Sequence, residues 1–451
     1  MPKPPRGRRG PKVRGRPRRP RPSAKQPKEI VDVTVDGIAA QGDAEARTDD
    51  GRRLFIPYAA PGDRVRAAVG APRGEGFEAS VAEQLEAGPR QEPFCPQFGQ
   101  CGGCSVQHLT DTAYRDWKTG LLRTALGRRG LAPDISDMAE VPRAARRRLT
   151  FSAANTGSGA VVGFMASRRH EVVPLATCPL ADPGLNALLP ALKDLMGDIL
   201  GLGERARIAL ARLAAGIDMV LERDAAADLP ARERLAAFAD ANDLARLSLR
   251  DGSGLIEPLA QRRPVEVDFG GAAVPLPPDG FMQPTAAGEA ALTAAVTGAA
   301  SGAVRIIELY AGAGTFTLPL AKDSLICAVD GDADLVGALK TAAGRAGLGG
   351  RVTAEARDLA ARPLLAAELA EVLPGAATVV LDPPRAGALA QVREIVEAPG
   401  IRRVVMVSCN PATFARDARV LTDGRFAMGA VLPVDQFPWS HHLECVAVFE
   451  R

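Results

Sequence analysis

The residues able to do chemistry stand near the end of the chain. In VVMVSCNPATFARD (404–417) the apolar residues Val404, Val405, Met406 and Val407 read as a short buried strand. It runs into Ser408 and Cys409, and Asn410-Pro411 then bars helix at once. A structural thiol belongs mid-strand, whereas Cys409 falls at the strand's carboxyl end, where open α/β sheets bind their ligands. A thiolate there is a nucleophile able to form a covalent intermediate. LDPPRAG (381–387) ends another apolar run, with Asp382 projecting over a cleft and Pro383-Pro384 stiffening the loop. In HHLECVAVFE (441–450) alternation puts His442, Glu444, Val446 and Val448 on one face. A carboxylate in so apolar a strand is costly when ionised, so its pKa should rise, which suits a general base near neutral pH. The competing assignment is a solvated edge-strand glutamate beside His441 and His442.

A second group of residues reads as a cofactor site. ELYAGAGTFTLPLA (308–321) is a strand, a glycine-rich turn and a helix start, but it is not GxGxxG, so no dinucleotide is implied. Gly312 and Gly314 permit close backbone approach to a ligand. Asp330 ends the next apolar run in AVDGD, where a carboxylate can grip ribose hydroxyls. A helix N-cap is its alternative role. Asp358, in ARDLA, stands where an adenine contact is usual. The set fits S-adenosylmethionine (SAM) better than NAD.

Seven cysteines stand at 95, 101, 104, 178, 327, 409 and 445. Cys95, Cys101 and Cys104 fall in one polar, glycine-rich loop, FCPQFGQCGGCSVQH, and Cys178 follows in ATCPL. Disulfides are disfavoured in a reducing cytosol, so this group points to metal. Four thiolates suit an iron–sulfur cluster or a structural zinc. Zinc ribbons carry two paired C-x2-C knuckles, whereas this chain has one pair and two single cysteines, which favours iron–sulfur. Cys327 and Cys445 read as small hydrophobes in strands.

The elements that must position these residues can be read around them. The 451 residues suggest two to four domains, with 46% hydrophobic content ordinary for a globular protein. Neither a membrane span nor a secretory signal is read, and the expected location is cytoplasmic, as a monomer. Residues 1–28 hold twelve of the 56 Lys and Arg, eight Pro and no acid, leaving 44 basic against 53 acidic residues behind them. That composition predicts a disordered basic tail drawn to RNA phosphates, with a solubilising extension as the alternative. Residues 29–89 alternate short β-like runs with turns at Gly42, Gly51 and Gly62, predicting a small barrel of a kind that often binds nucleic acid. Within 90–280, Arg143, Arg146, Arg147, Arg148, Arg168 and Arg169 are candidates to line an RNA-facing sheet, and about 182–247 has helical period. From about 300 the chain is α/β. Strands are expected at 304–309, 325–330, 378–382 and 404–408, and helices at 315–322, 332–346, 361–372 and 388–397. FAMGAVLP and HLECVAVF lie close enough to pair antiparallel. The fold class is multidomain α/β, ending in a doubly wound, Rossmann-like sheet over 281–451.

The barrel segment resembles a TRAM domain, an OB-like RNA-binding module. ELYAGAGTFTLPLA, VDGD, LDPPRAG, SCNPATFARD and HHLECVAVFE, in order and at their separations, resemble the hallmarks of the RNA uracil-5 methyltransferase family. The resemblance covers nearly everything after residue 28. It implies that Cys409 is the nucleophile and Glu444 the base, and that SAM is held by Gln283 (in GFMQPT), Tyr310, Asp330, Asp358 and Asp382. It also implies that Cys95, Cys101, Cys104 and Cys178 bind a [4Fe-4S] cluster in the central domain. TRAM, cluster and methyltransferase domain together resemble the branch that modifies 23S ribosomal RNA. The family often has Cys where Ala311 stands, and Asn where Thr315 and Thr285 stand. Thr315 can still hydrogen-bond and is kept among the cofactor contacts. DQFPWSHHLE (435–444) departs from the family's FPHTxHVE in Trp439 and Ser440. The competing readings are a tRNA T-loop uridine-5 methyltransferase and a non-catalytic RNA-binding or ribosome-assembly protein. A cytosine-5 enzyme would resemble its family in a Pro-Cys pair where Asp382-Pro383 stands.

Overall fold

A computed structural model describes residues 29–451, so the basic tail expected over 1–28 lies outside the described residues. The first described strands, Ile30–Ile38, Ala44–Arg47, Arg53–Ile56, Arg64–Arg73 and Gly76–Glu86, close into a barrel. Alternation builds it: Val33, Val35, Leu54, Ile56 and Val65 turn inward, while Asp32, Arg64 and Arg66 stay outside. Ile30–Ile38 pairs with both Ala44–Arg47 and Arg64–Arg73, so the barrel leaves no open edge.

A seven-stranded sheet follows, in the order Ile256–Gln261, Arg246–Arg250, Gly216–Arg223, Arg205–Leu213, Arg148–Asn155, Ala160–Met165 and Val172–Pro174. One expectation is corrected here. The stretch from about 182 to 247 is helical only at Pro183–Ala187, Leu189–Ile199 and Leu229–Ala241, with the hairpin Arg205–Leu213/Gly216–Arg223 between them. RARIALARL is rich in helix formers, yet it alternates arginine with apolar residues, and Ala206, Ile208 and Leu210 are buried in the sheet's core. Packing of an alternating face overrides helix propensity.

The third sheet has eight strands, ordered Val352–Ala356, Leu325–Asp330, Arg305–Leu309, Thr378–Leu381, Arg403–Ser408, Glu444–Glu450, Ala427–Asp435 and Ala139–Glu140. The first five are parallel. Glu444–Glu450 lies antiparallel between Arg403–Ser408 and Ala427–Asp435, as the closing sequence pattern indicated. Helices Ala333–Arg345, Ala366–Val372 and Leu389–Glu397 fall within the expected stretches, and the expected helix at 315–322 shrinks to Thr317–Leu320. Helices cover both faces, and strand order reverses between Arg305–Leu309 and Thr378–Leu381. That reversal opens a crevice at the strands' carboxyl ends. Helix Asp111–Gly127, which precedes the seven-stranded sheet, packs here against helix Pro411–Asp423, with Leu122 and Leu126 joining Phe414, Ala415 and Leu421. Among the described residues no helix is long and apolar enough to cross a membrane.

Candidate active site

Ser408 pairs with Cys445 across the antiparallel ladder. Cys409 follows this last pair on one strand and Glu444 precedes it on the other, close enough for the Glu444 charge to act on the thiol. The parallel strand Thr378–Leu381 ends on the same rim and delivers Asp382. Glu444 is 5% exposed and Cys409 half-buried. Burial, then the neighbouring Asp382, pushes the Glu444 carboxyl up to about 8, opposed by the Arg385 guanidinium. Burial and the charge of Asp330 likewise raise the Asp382 carboxyl. The Cys409 thiol is pushed up to about 12 by burial and then by Glu444 and Asp382, with Arg385 pulling the other way. The rim therefore gathers more acidic groups than Arg385 can offset, which favours their protonated forms. Arg385, missed as a site residue, is braced there. Its carbonyl accepts from Asn410 Nδ2 at 3.1 Å and Thr413 Oγ1 at 3.2 Å, and its guanidinium lies 3.1 Å from His442 Nε2. Asn410-Pro411 does not bar helix, as expected, but starts one. Asn410 Oδ1 accepts from Ala412 N–H at 3.0 Å, and Pro411 takes the first helical position, where its missing N–H costs nothing.

The glycine-rich turn sits at the strand-order reversal. Tyr310 (φ 63°) and Gly312 (φ 56°) take the left-handed conformation, and Gly312 N–H donates to Asp330 Oδ2 at 2.8 Å. Asp330 Oδ1 accepts from Asp332 N–H at 2.8 Å. The cap of helix Ala333–Arg345 is Asp332, not Asp330, so the capping alternative for Asp330 fails. Burial, then Asp417, Asp358 and Asp330, pushes the Tyr310 hydroxyl up to about 12, which locates Asp358 near this turn. Asp358 is exposed and accepts from Ala360 N–H at 2.9 Å. Thr315 is buried beside the turn. Beneath it lies Glu308, an acid inside an apolar strand that sequence reading passed over. It accepts from Thr317 Oγ1 at 2.7 Å, and burial pushes it up to about 8. Gln283 is buried, its Oε1 accepting from Gln436 Nε2 at 2.9 Å. Thr285 caps helix Ala286–Ala299 through Gly288 N–H at 3.1 Å.

Cys95, Cys101, Cys104 and Cys178 are free thiols lining one cavity of about 270 Å³. Among the described residues, no group of three or more His, Cys, Asp or Glu side chains is arranged to hold a metal ion. Cys327 and Cys445 are buried in strands. The expected arginine-lined RNA face is largely spent on contacts within the protein. Arg147 pairs with Glu289 at 2.6 Å, Arg148 with Asp279 at 3.1 Å, and Arg168 with Asp43. Arg146 stacks over Phe437 and borders the thiol cavity. Arg143 is exposed over Phe94, and Arg169 is exposed. Long-range acid partners, which no local pattern shows, account for the difference.

Residues 373–451 match the family described as tRNA (Uracil-5-)-methyltransferase, and residues 24–70 match the TRAM domain. An uncharacterized RNA methyltransferase of Caulobacter vibrioides is 41% identical over 94% of this chain and 100% of its own length. A 23S rRNA (uracil(1939)-C(5))-methyltransferase of Halomonas elongata is 34% identical, over 93% and 89%. The Pyrococcus abyssi tRNA (uracil-54, C5)-methyltransferase, solved with S-adenosyl-L-homocysteine, shares the fold at a TM-score of 0.69 and 20% identity, over 93% of this chain and 100% of that one. By motifs, barrel and relatives together, the chain belongs to the RNA uracil-5 methyltransferase family and carries a TRAM domain at its N-terminal end.

Proposed function

We propose that the protein methylates C5 of a uridine in 23S ribosomal RNA, with SAM as methyl donor. The observation that supports this reading is the ladder end at Ser408 and Cys445, which brings Cys409 and Glu444 to one rim with Asp382 near both. Uracil C5 is a poor nucleophile. The Cys409 thiolate adds to C6, and the displaced electron pair makes C5 reactive. SAM, when bound, supplies a methyl group on a cationic sulfur. The Glu444 carboxylate then takes the C5 hydrogen as a proton, the C5–C6 double bond re-forms, and the C6–S bond breaks to return the Cys409 thiolate. Both faces of the base are used, so the uridine must leave its stack. Gln283, Tyr310, Thr315, Asp330, Asp358 and Asp382 are assigned to the cofactor. Two features of the crevice fit a cationic ligand: a surplus of buried carboxyls, and open space where a side chain on Gly312 would stand.

The four clustered thiols are assigned as ligands of a [4Fe-4S] cluster. What supports this reading is the donor type alone: four free thiols line one cavity, and they are not drawn into a metal-binding arrangement as they stand. The bound group would cross-link the loop 95–104 to Cys178; no step of methyl transfer requires it. A tRNA uridine is the second reading, favoured by the name of the matched family and by the shared archaeal fold. RNA carrying 5-fluorouridine tests the chemistry, because fluorine blocks proton removal and should trap a covalent adduct at Cys409. Absence of an adduct with an intact thiol would sink the enzymatic reading. Mass spectrometry of 23S rRNA and tRNA from cells lacking the protein separates the two substrates.

A further inference from the structure

Between Ala427–Asp435 and Glu444–Glu450 runs the connection that delivers Glu444, and it is held by residues from outside its own sheet. Lys118, on helix Asp111–Gly127, is fully buried. Its ammonium donates to Asp435 Oδ1 at 2.7 Å, to the Phe437 carbonyl at 3.1 Å and to the His442 carbonyl at 2.5 Å. Those acceptors stand at the start, within and at the end of the connection, so one side chain draws the loop shut at its base. Tyr114, one turn earlier, donates its hydroxyl to Asp435 and accepts from Trp439 N–H at 3.0 Å. Trp439 is 6% exposed and adopts φ 63°, a strained conformation for a large side chain. It persists because it is fixed from several sides. The indole stacks on Tyr114 at 4.3 Å and meets Phe94 edge-on at 5.6 Å, and its carbonyl accepts from Ser105 N–H at 2.9 Å.

Closing a hairpin does not require a buried ammonium. Apolar side chains close one at lower cost, since burying an ion pair forfeits hydration that the pairing only partly returns. An ammonium does what apolar packing cannot: it fixes three acceptors at hydrogen-bond distance and so sets the loop's geometry. The same helix packs on Pro411–Asp423, which starts two residues after Cys409. One rigid element thus references both the thiol and the carboxyl.

We propose that Lys118, with Tyr114 and Trp439, forms a latch that positions Glu444 for removal of the C5 proton. This rests on the functional reading above and adds positioning residues that contact the base's loop but not the reacting atoms. The latch acts on the second half of the reaction, so its loss should separate the two halves. In Lys118→Met, adduct yield with 5-fluorouridine RNA should stay within about twofold of the native protein. Turnover on uridine RNA should fall by roughly 10²-fold, within the range a general base supplies. The methylated covalent intermediate on Cys409 should accumulate to a level visible as a gel-shifted band. Tyr114→Phe, which keeps the stack and removes the hydroxyl, gives the same pattern in weaker form and carries the test if Lys118→Met does not fold. Unchanged turnover in a folded variant overturns the proposal. An equal fall in adduct formation and turnover, as a merely structural role would give, overturns it too. Failure of the native protein to form any adduct sinks the underlying reading, and this one with it.

Discussion

Burial and the neighbouring acids favour the protonated forms of Cys409 and Glu444, whereas their assigned roles need the ionised ones. Burial comes first in each case, and the acids then raise one another across the rim. A cationic sulfur entering beside Asp382 removes part of that penalty, so the cofactor's charge and the nucleophile's activation are linked. Glu444→Gln tests the residue in two ways. Turnover should fall by about 10²–10⁴-fold, the share of a general base, while the 5-fluorouridine adduct still forms. Stability should also respond, with a definite sign. The folded carboxyl holds its proton more tightly than the unfolded one, so the native protein loses stability as pH rises from about 4.5 through about 8. The glutamine variant does not titrate. Its melting temperature should therefore match the native protein's at the acidic end and exceed it increasingly toward the alkaline end, as read by calorimetry across that window. Cys409 and Glu444 stood out as candidates because a thiol at a strand end and an acid in an apolar strand are both locally anomalous. Glu308 carries the same anomaly and was readable on the same grounds. Lys118 was not, since a lysine in a helical stretch looks solvated until its acceptors, more than three hundred residues away, fold over it.

At the scale of elements, the loop 383–388 is bound to helix Pro411–Asp423 and carries Arg385 with it. Ala388 N–H donates to Asp417 Oδ2 at 2.7 Å, and Arg416 donates to the Ala386 carbonyl at 2.9 Å. Gly387 makes the contact possible. It takes φ 76°, and a Cβ there would stand 2.5 Å from both Arg416 Nη2 and Asp417 Oδ2. Gly387→Ala should cost on the order of 1–3 kcal/mol, from the strained conformation and the displaced pair. It should also shift Arg385 and slow adduct formation, as read from denaturant midpoints and trapping rates. Four of the five parallel strands were legible as apolar runs separated by helical stretches; Val352–Ala356, at the sheet's edge with mostly exposed side chains, was not. The hairpin at 205–223 was not, because its composition favours helix and only the buried side of its alternation argues otherwise. Asn410-Pro411 misled for a related reason: the dipeptide stops a helix already running but begins one well, and which applies depends on what precedes it.

At the scale of the molecule, a small core of Ala60, Val106, Tyr114, Trp117, Leu180 and Trp439 joins the barrel, the cysteine loop, helix Asp111–Gly127 and the loop before Glu444. Cys104 and Cys178 pack against it. Disturbance of the thiol cavity should therefore reach Glu444 through Trp439. Cys101→Ser should lose bound iron, lower RNA affinity and slow turnover more than adduct formation, measured by metal analysis, filter binding and trapping. A folded variant with native RNA affinity would count against a structural cluster. The sequence alone determined the barrel and the doubly wound sheet and singled out the candidate site residues, because these rest on periodicity, turn residues and strand-end placement, which are local. Only the tertiary structure decided that Cys409 and Glu444 flank the end of one ladder, that Asp332 rather than Asp330 caps its helix, that Arg147, Arg148 and Arg168 are paired internally, and that a buried lysine closes the loop before Glu444. Each of these depends on register or on a partner distant in the chain, and no local pattern specifies either.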